Sequence, residues 1–284
     1  LSAPADYSRP NRIEEVLAAA AAGARIAAGC TDVLPAITRQ VLDGAIVDIT
    51  GIPHLRGISR TIDGWRIGAA TTWMDIQRCD LPPAFDGLKL AAREVGSVQI
   101  QNAGTIGGNL CNASPAADGV PPLLTLDAEV ELTSLSGVRQ MPLASFLRGV
   151  RQTALQRGEV LTAILIPDVG GKAGFLKLGA RKYLVISIVM VAVRLEMENG
   201  VITGAALSIG SCSAVAVRLS KAEAALIGVP VDDAVALLSD TIVSPDLSPI
   251  SDIRGKAEYR TAAASELLRR LVGSVISPPD EGGL

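Results

Sequence analysis

The sequence predicts an α+β protein built from three successive regions. Helical spacing of apolar residues marks both ends of the chain, and short apolar runs typical of strands, bounded by glycine and proline, lie between them. Of the 284 residues, 49% are hydrophobic and only 19% are charged, so the chain can bury a sizeable core. A chain of this length favours two or three subdomains.

The first region, residues 1–54, reads as a small α/β unit. A helix is predicted in NRIEEVLAAAAA, and Gly23 would end it. A short strand in ARIAAG follows, then a turn and a helix in TDVLPAITRQVLDG, and a second strand in AIVDIT. The order of strand, glycine turn, helix and strand is what defines this unit.

The second region, residues 55–170, alternates strands with helices. Strands are predicted in GWRIGAA, DAEVELTS and EVLTAILIP, and helices in AFDGLKLAAREVG and around the glycine-rich stretch that follows it. Pro167, Asp168, Gly170 and Gly171 are typical of a linker at the end of this region.

The third region, residues 171–284, is predicted to be a sheet with three helices. GFLKLGAR, ISIVMVAVRLEME and VITGAALSIGS favour a strand meander, and ENG at residues 198–200 marks a tight turn within it. Helices are expected at about 217–227, 231–240 and 254–272.

Composition excludes several classes of function. The net charge is -3 and basic residues are scattered singly, so no basic stripe is available for nucleic acid. The longest apolar run, near 185–193, is interrupted by Ser187 and ends at Arg194, far short of the roughly 20 residues of a membrane-spanning helix. The four cysteines show no C-x-x-C spacing, which argues against a disulfide framework or a metal site and favours a reducing cytoplasm.

The stretch QIQNAGTIGGNLCNASPAAD, residues 99–118, is rich in glycine and short polar side chains. Glycines allow main-chain N–H groups to approach an anion closely, so this stretch predicts a phosphate cradle. AGCTD at residues 28–32, between a strand and a helix, is a second candidate. Two such loops suggest a diphosphate held between them, whereas neither matches the Rossmann or P-loop fingerprint. The alternative is that both are ordinary connecting loops.

Five segments together resemble one family along essentially the whole chain. They are AGCTDVLP, GSVQIQNAGTIGGNLCNASPAADGVPPLL, GEVLTAILIP, FLKLGAR and DIRGKAEYR. In this order and spacing they are similar to the FAD-binding medium subunit of molybdenum hydroxylases, the group of the xanthine dehydrogenases and carbon monoxide dehydrogenases. The resemblance implies a two-part FAD-binding domain, divided near residue 54, with FAD enclosed between its parts and followed by a C-terminal sheet-and-helix domain.

The resemblance also implies a set of FAD-binding residues. The first loop would wrap the pyrophosphate with backbone amides, the GTIGGN motif would complete the clamp, and Ser114 and Asp118 would bind phosphate and sugar or ribityl hydroxyls. Leu161 would pack on the cofactor, and Lys177 would reach the pyrimidine side of the flavin. The complete set is Ala28, Gly29, Cys30, Thr31, Asp32, Val33, Thr105, Ile106, Gly107, Gly108, Asn109, Ser114, Asp118, Leu161 and Lys177.

Three positions depart from the family pattern. Cys30 stands where such subunits most often have glycine, and Gln101 replaces a common arginine before the GTIGGN motif. After Arg181, KYLVISIVMVAV replaces the usual run of small residues followed by Asp-Ile-Ala. This last change leaves the final electron acceptor open.

The implied function is electron transfer within a larger complex. A molybdopterin-binding large subunit would oxidise the substrate, a [2Fe-2S] small subunit would pass electrons to FAD on this chain, and NAD, oxygen or another acceptor would receive them. A dimer of heterotrimers is expected. No catalytic acid or base is needed, and the only histidine, His54, is interpreted as a surface or structural residue. The alternatives are a free-standing FAD-dependent oxidase or reductase and a non-catalytic nucleotide-binding assembly subunit.

Overall fold

The computed structural model describes residues 6–35 and 44–278, and these form fourteen β-strands and eleven α-helices. The strands are β1 (Asp6–Ser8), β2 (Arg25–Ala27), β3 (Ala45–Asp48), β4 (Ile58–Thr61), β5 (Gly64–Gly68), β6 (Glu129–Ser134), β7 (Gly137–Pro142), β8 (Leu147–Gly149), β9 (Gln152–Thr153), β10 (Val160–Pro167), β11 (Lys172–Leu178), β12 (Val189–Glu198), β13 (Val201–Gly210) and β14 (Val217–Arg218). The helices are α1 (Ile13–Ala21), α2 (Trp73–Arg78), α3 (Asp86–Glu94), α4 (Val98–Ala103), α5 (Ile106–Asn112), α6 (Val120–Thr125), α7 (Leu143–Phe146), α8 (Ser220–Leu226), α9 (Ala234–Leu237), α10 (Asp240–Val243) and α11 (Ala257–Ile276).

The chain divides into two compact units, each assembled from separate segments. The first unit comprises Leu1–Cys79, Ser97–Ala113 and Ala128–Asp168. The second comprises Asp80–Gly96, Ser114–Asp127 and Val169–Leu284. Since each unit has segments distant in sequence, its core depends on long-range contacts. The mixed α+β fold class predicted from the sequence is confirmed.

The first unit contains a parallel three-stranded sheet in the order β1-β3-β2 and an antiparallel five-stranded sheet in the order β4-β5-β10-β6-β7. Helix α1 packs on β3 and buries Val16 and Leu17 beside Val47. Gly23 has a φ of +93° just after α1, so the predicted glycine stop is confirmed. The helix predicted in TDVLPAITRQVLDG falls mostly on residues 36–43, outside the described residues, and residues 31–35 form turns.

The second unit is organised around the antiparallel sheet β11-β12-β13-β14. Asn199 and Gly200 join β12 to β13 with φ values of +52° and +75°, so the predicted tight turn is confirmed. Strand β12 is buried on both faces: Val191 and Val193 belong to the large core with α11, whereas Met190 contributes to a smaller cluster with α3. This double burial explains the long apolar run in the sequence. Among the described helices, every one is too short or too polar to span a bilayer.

The helix expected over residues 231–240 is wrong as one element. A 3-10 turn at Val231–Asp233 leads into α9, and a separate helix, α10, follows. Leu238, with a ψ of +64°, leaves the helical region, and Ser239 is extended with a ψ of +160°. An extended residue before a helix is an N-cap position, so the backbone restarts there instead of continuing.

Candidate functional site

The two glycine-containing stretches predicted from the sequence lie in direct contact within the first unit. A Cβ atom on Gly29 would lie 1.9 Å from the carbonyl oxygen of Ala103, at the end of α4. A Cβ atom on Gly104 would in turn lie 3.3 Å from the Thr31 hydroxyl. The loop after β2 therefore packs against the backbone that joins α4 to α5. Only glycine permits this close approach at position 29.

Gly107 of α5 allows close packing in the same way. Ile106 donates its amide to the carbonyl of Thr71 at 3.0 Å, and Gly107 donates to the carbonyl of Ala69 at 2.9 Å. A Cβ atom on Gly107 would lie 2.7 Å from both the Cβ atom and the carbonyl oxygen of Ala69. Helix α5 is thus held tightly against the chain that follows β5.

Thr105 caps α5 and accepts hydrogen bonds from two further amides. Its hydroxyl accepts from the Gly108 amide at 3.1 Å, and its carbonyl accepts from the Asn109 amide at 3.0 Å. All four amides from residue 106 to residue 109 therefore have acceptors within the chain. The prediction of a phosphate cradle in this stretch is wrong for the amides of residues 106–109, because these N–H groups are paired through helix formation and packing.

The loop after β2 has amides that lack acceptors in the part of the chain that the structure describes. Among the described residues, none provides a hydrogen-bond acceptor for the amides of residues 30–33, although the Leu34 amide donates to the carbonyl of Cys30 at 3.0 Å. Successive N–H groups of this kind form an anion-binding concavity. The side-chain oxygen of Asn109 on α5 is buried and likewise lacks a donor in the part of the chain that the structure describes.

Cys30 occupies a backbone conformation that favours glycine. Its φ is +55°, in the left-handed region, which a Cβ atom disfavours. Partial burial raises the pKa of its thiol, and the nearby carboxylate of Asp48 raises this pKa further. The raised pKa favours the protonated thiol over the thiolate at neutral pH.

Leu161 lies on β10, the central strand of the five-stranded sheet, where it pairs with Leu132 of β6 and is buried. The register between these strands shifts between Leu161 and Ala163, which marks a β-bulge. Helix α5 packs against β10. Leu161 thus belongs to the same unit as the glycine-rich stretches.

Asp118 and Lys177 form a buried ion pair in the second unit. The Lys177 ammonium donates to Oδ2 of Asp118 at 2.7 Å and to the carbonyl of Glu94 at 3.3 Å. Ser187, which was not among the predicted site residues, donates its hydroxyl to Oδ1 of Asp118 at 2.7 Å. Burial raises the pKa of Asp118, and Lys177 and Ser187 oppose that rise by stabilising the carboxylate.

Ser114 begins the turn that leads to Asp118. Its hydroxyl accepts from the Ala116 amide at 3.2 Å, and its carbonyl accepts from the Ala117 amide at 3.0 Å. Helix α6 starts just beyond Asp118. The two polar residues predicted in this segment are therefore fixed by a tight local turn.

His54 is exposed, in agreement with a surface role.

Comparison with known proteins identifies the class. A family described as the FAD binding domain in molybdopterin dehydrogenase matches residues 3–169, and one described as the CO dehydrogenase flavoprotein C-terminal domain matches residues 175–275. The chain belongs to the family of FAD-binding medium subunits of molybdenum hydroxylases, which are oxidoreductases. The predicted resemblance, fold and cofactor are thereby confirmed.

Individual relatives match over nearly their full length. The chain is 35% identical to the nicotinate dehydrogenase FAD-subunit of Eubacterium barkeri, with 90% of each chain covered. It is 31% identical to the carbon monoxide dehydrogenase medium chain of Afipia carboxidovorans, covering 94% of this chain and 95% of the relative. Among solved structures, the reconstituted CO dehydrogenase from Oligotropha carboxidovorans matches with a TM-score of 0.88 and 30% identity, over 98% of this chain and 100% of that chain.

Each unit, taken by itself, presents groups that fit a part of FAD. The amides of residues 30–33 suit a negatively charged diphosphate. The unpartnered oxygen of Asn109 can accept from a hydroxyl or amine. Each Asp118 carboxylate oxygen accepts one bond from the described residues, which leaves further lone pairs for hydroxyl donors.

Proposed function

We propose that this chain is the FAD-carrying electron-transfer subunit of a multi-subunit molybdenum hydroxylase. It would take electrons from [2Fe-2S] clusters on a small subunit and deliver them to NAD, oxygen or another acceptor. A molybdopterin-binding large subunit would oxidise the substrate. The observation that carries the proposal is the backbone contact between Gly29 and Ala103, which unites two stretches of the FAD-binding family within one unit.

In this function the first unit would bind the nucleotide. The amides of residues 28–33 would bind the pyrophosphate, with the open donors at residues 30–33 making the main contribution. Residues 105–109 would shape the opposite wall, through the hydroxyl of Thr105 and the side chain of Asn109 rather than through the amides of residues 106–109. Leu161 would provide an apolar contact.

The second unit would contribute polar groups. Ser114 would bind phosphate, Asp118 would accept bonds from sugar or ribityl hydroxyls, and Lys177 would place a cation toward the pyrimidine side of the ring. When bound, FAD supplies a redox centre that accepts electrons singly and delivers them as a pair. The residues named here bind and orient it, and none has to act as a general acid or base.

The wider organisation is part of the same proposal. The FAD-binding part divides near residue 54 into two subdomains, and the C-terminal domain runs from residue 171, in keeping with the family limits at 169 and 175. We place the protein in the cytoplasm as one member of a dimer of heterotrimers. Similarity to subunits named as FAD-subunit and medium chain supports the assignment to a complex.

Co-expression with the neighbouring genes tests this function. The chain would be purified through its own tag, and the visible spectrum and co-purifying chains would be recorded. Flavin bands together with iron-sulfur absorption and two partner chains are expected. A yellow protein that is free of partners and reduced directly by a small substrate would favour a free-standing oxidase. A colourless protein that takes up no FAD would contradict the proposal.

A further inference from the structure

A hydroxyl, a carboxylate and an ammonium form a buried chain of hydrogen bonds in the second unit. Ser187 is 2% exposed, Asp118 is 7% exposed, and the side chain of Lys177 is 6% exposed. Ser187 and Lys177 donate to different oxygens of Asp118, each at 2.7 Å. The carboxylate is therefore held at both oxygens, and its rotation is restricted.

The sheet fixes the two donors relative to each other. Lys177 lies near the end of β11, and Ser187 lies two residues before β12, its antiparallel partner. The amide of Ile188, next to Ser187, donates to the carbonyl of Leu178, next to Lys177, at 2.7 Å. Backbone pairing thus places the hydroxyl and the ammonium at set positions around one carboxylate.

We propose that Ser187 is a positioning residue for the FAD site: its hydroxyl fixes the Asp118 carboxylate, which in turn orients the Lys177 ammonium. The inference rests on the proposed function, in which Asp118 and Lys177 contact the cofactor. Lys177 has three N–H donors, and two of them are used by Asp118 and Glu94. Within the described ranges the third has no acceptor, so a fixed ammonium can direct it to a ligand.

These hydrogen bonds also affect the protonation of Asp118 and the compensation of the Lys177 charge. The groups that face Asp118 are Lys177 of β11, Ser187 before β12 and the negative charge of Glu94 of α3. Burial raises the pKa of Asp118, and the Ser187 hydrogen bond opposes that rise. Loss of this bond would favour protonation of Asp118 and leave the Lys177 cation uncompensated. A less compensated cation stabilises the negative charge of a reduced flavin and shifts its midpoint potential upward.

The test compares Ser187→Ala with Ser265→Ala in the full-length chain. Ser265 is also buried, and among the described residues its hydroxyl bonds only to the carbonyl of Thr261 within α11, so it controls for the loss of a buried hydroxyl. In the apo chain, the carboxyl carbon of Asp118 is titrated by NMR, with its signal assigned from Asp118→Asn. FAD is then added, and its dissociation constant and midpoint potential are measured.

We expect Ser187→Ala to raise the pKa of Asp118, to weaken FAD binding about fivefold and to shift the potential upward, and Ser265→Ala to change none of these. Ser187→Cys, which keeps the volume but donates weakly, gives intermediate values and serves as the test if the alanine variant does not fold. A wild-type chain that takes up no FAD would overturn the proposed function. A wild-type chain that binds FAD, with Ser187 variants identical to it in all three readouts, would overturn the positioning role alone.

Discussion

Gly29 and Ala103 approach each other so closely that a Cβ atom at position 29 would lie 1.9 Å from the Ala103 carbonyl oxygen. Real Cβ atoms do not come this near to backbone atoms, so the contact depends on glycine. It joins the loop after β2, whose amides at residues 30–33 lack acceptors among the described residues, to the segment that begins α5. In the proposed pyrophosphate clamp, the donor amides are therefore positioned by this close backbone packing.

Replacing Gly29 by alanine should displace the loop. We expect Gly29→Ala to cost about 1–3 kcal/mol of unfolding free energy through overpacking, and to weaken FAD binding at least about tenfold because the amides of residues 30–33 move. Gly170→Ala is the matched control, since the nearest atom to a Cβ there lies 4.0 Å away. Urea denaturation and FAD titration measure both effects. Equal FAD affinity in the two variants would refute the role of this contact.

Because the backbone at Cys30 is in the left-handed region, we expect glycine to be the more stable substitution there. At a φ of +55°, Cys30→Gly is expected to be more stable than Cys30→Ala by about 1 kcal/mol, because alanine keeps the left-handed strain and glycine removes it. The same pair of substitutions at Cys79, where φ is -71°, should favour alanine. Urea denaturation of the four variants decides the matter. An alanine variant as stable as the glycine variant at position 30 would count against the strain.

The buried pair of Asp118 and Lys177 should show strong coupling. Lys177→Met or Asp118→Asn alone leaves one partner buried without the other, and we expect each to cost about 3–5 kcal/mol. The double variant should lose less than the sum, by about 1–3 kcal/mol, because no uncompensated charge remains. Denaturation of the four proteins in a double-mutant cycle gives the coupling energy directly. Additive losses would mean that the two groups do not interact in solution.

Asp252 should make the second unit sensitive to acid. Desolvation alone would raise its pKa, but hydrogen bonds from the Arg254 amide and the Arg260 guanidinium outweigh it and hold the pKa at about 2. Because this value lies below the ordinary 3.8, its stabilisation is present above pH 4 and is lost as the pH falls toward 2.

Asp252→Asn should therefore cost about 1 kcal/mol at pH 7, a figure that allows for solvent screening of this exposed residue. The difference from wild type should shrink between pH 4 and pH 2. Urea denaturation at pH 7, 4 and 2.5 measures it. A difference that stays constant across this range would show that the Asp252 carboxylate does not stabilise the fold.

The strands of the second unit could be predicted from the sequence because their signals are local. The apolar runs of β11, β12 and β13 and the Asn199-Gly200 turn each specify their own structure. The break between α9 and α10 could not be predicted, since Leu238 and Ser239 are compatible with a continuous helix by composition alone.

The site was only partly predictable, because glycine serves two purposes. The GTIGGN motif indicated a phosphate cradle, yet Gly107 is required mainly for its contact with Ala69. A sequence does not distinguish a glycine that admits a ligand from one that admits another part of the chain. Ser187 was missed because it lies 69 residues from Asp118. The pairing of β11 with β12 places Ser187 near Lys177, and the packing of α6 on β12 brings Asp118 to both.

Hydrogen exchange of the full-length chain with and without FAD shows whether the amides of residues 30–33 bind the cofactor. We expect uptake of one FAD per chain, with slower exchange of the amides at residues 30–33, which lack acceptors within the described residues. Saturation with FAD that leaves exchange unchanged at these amides, or protection confined to other segments, would contradict it.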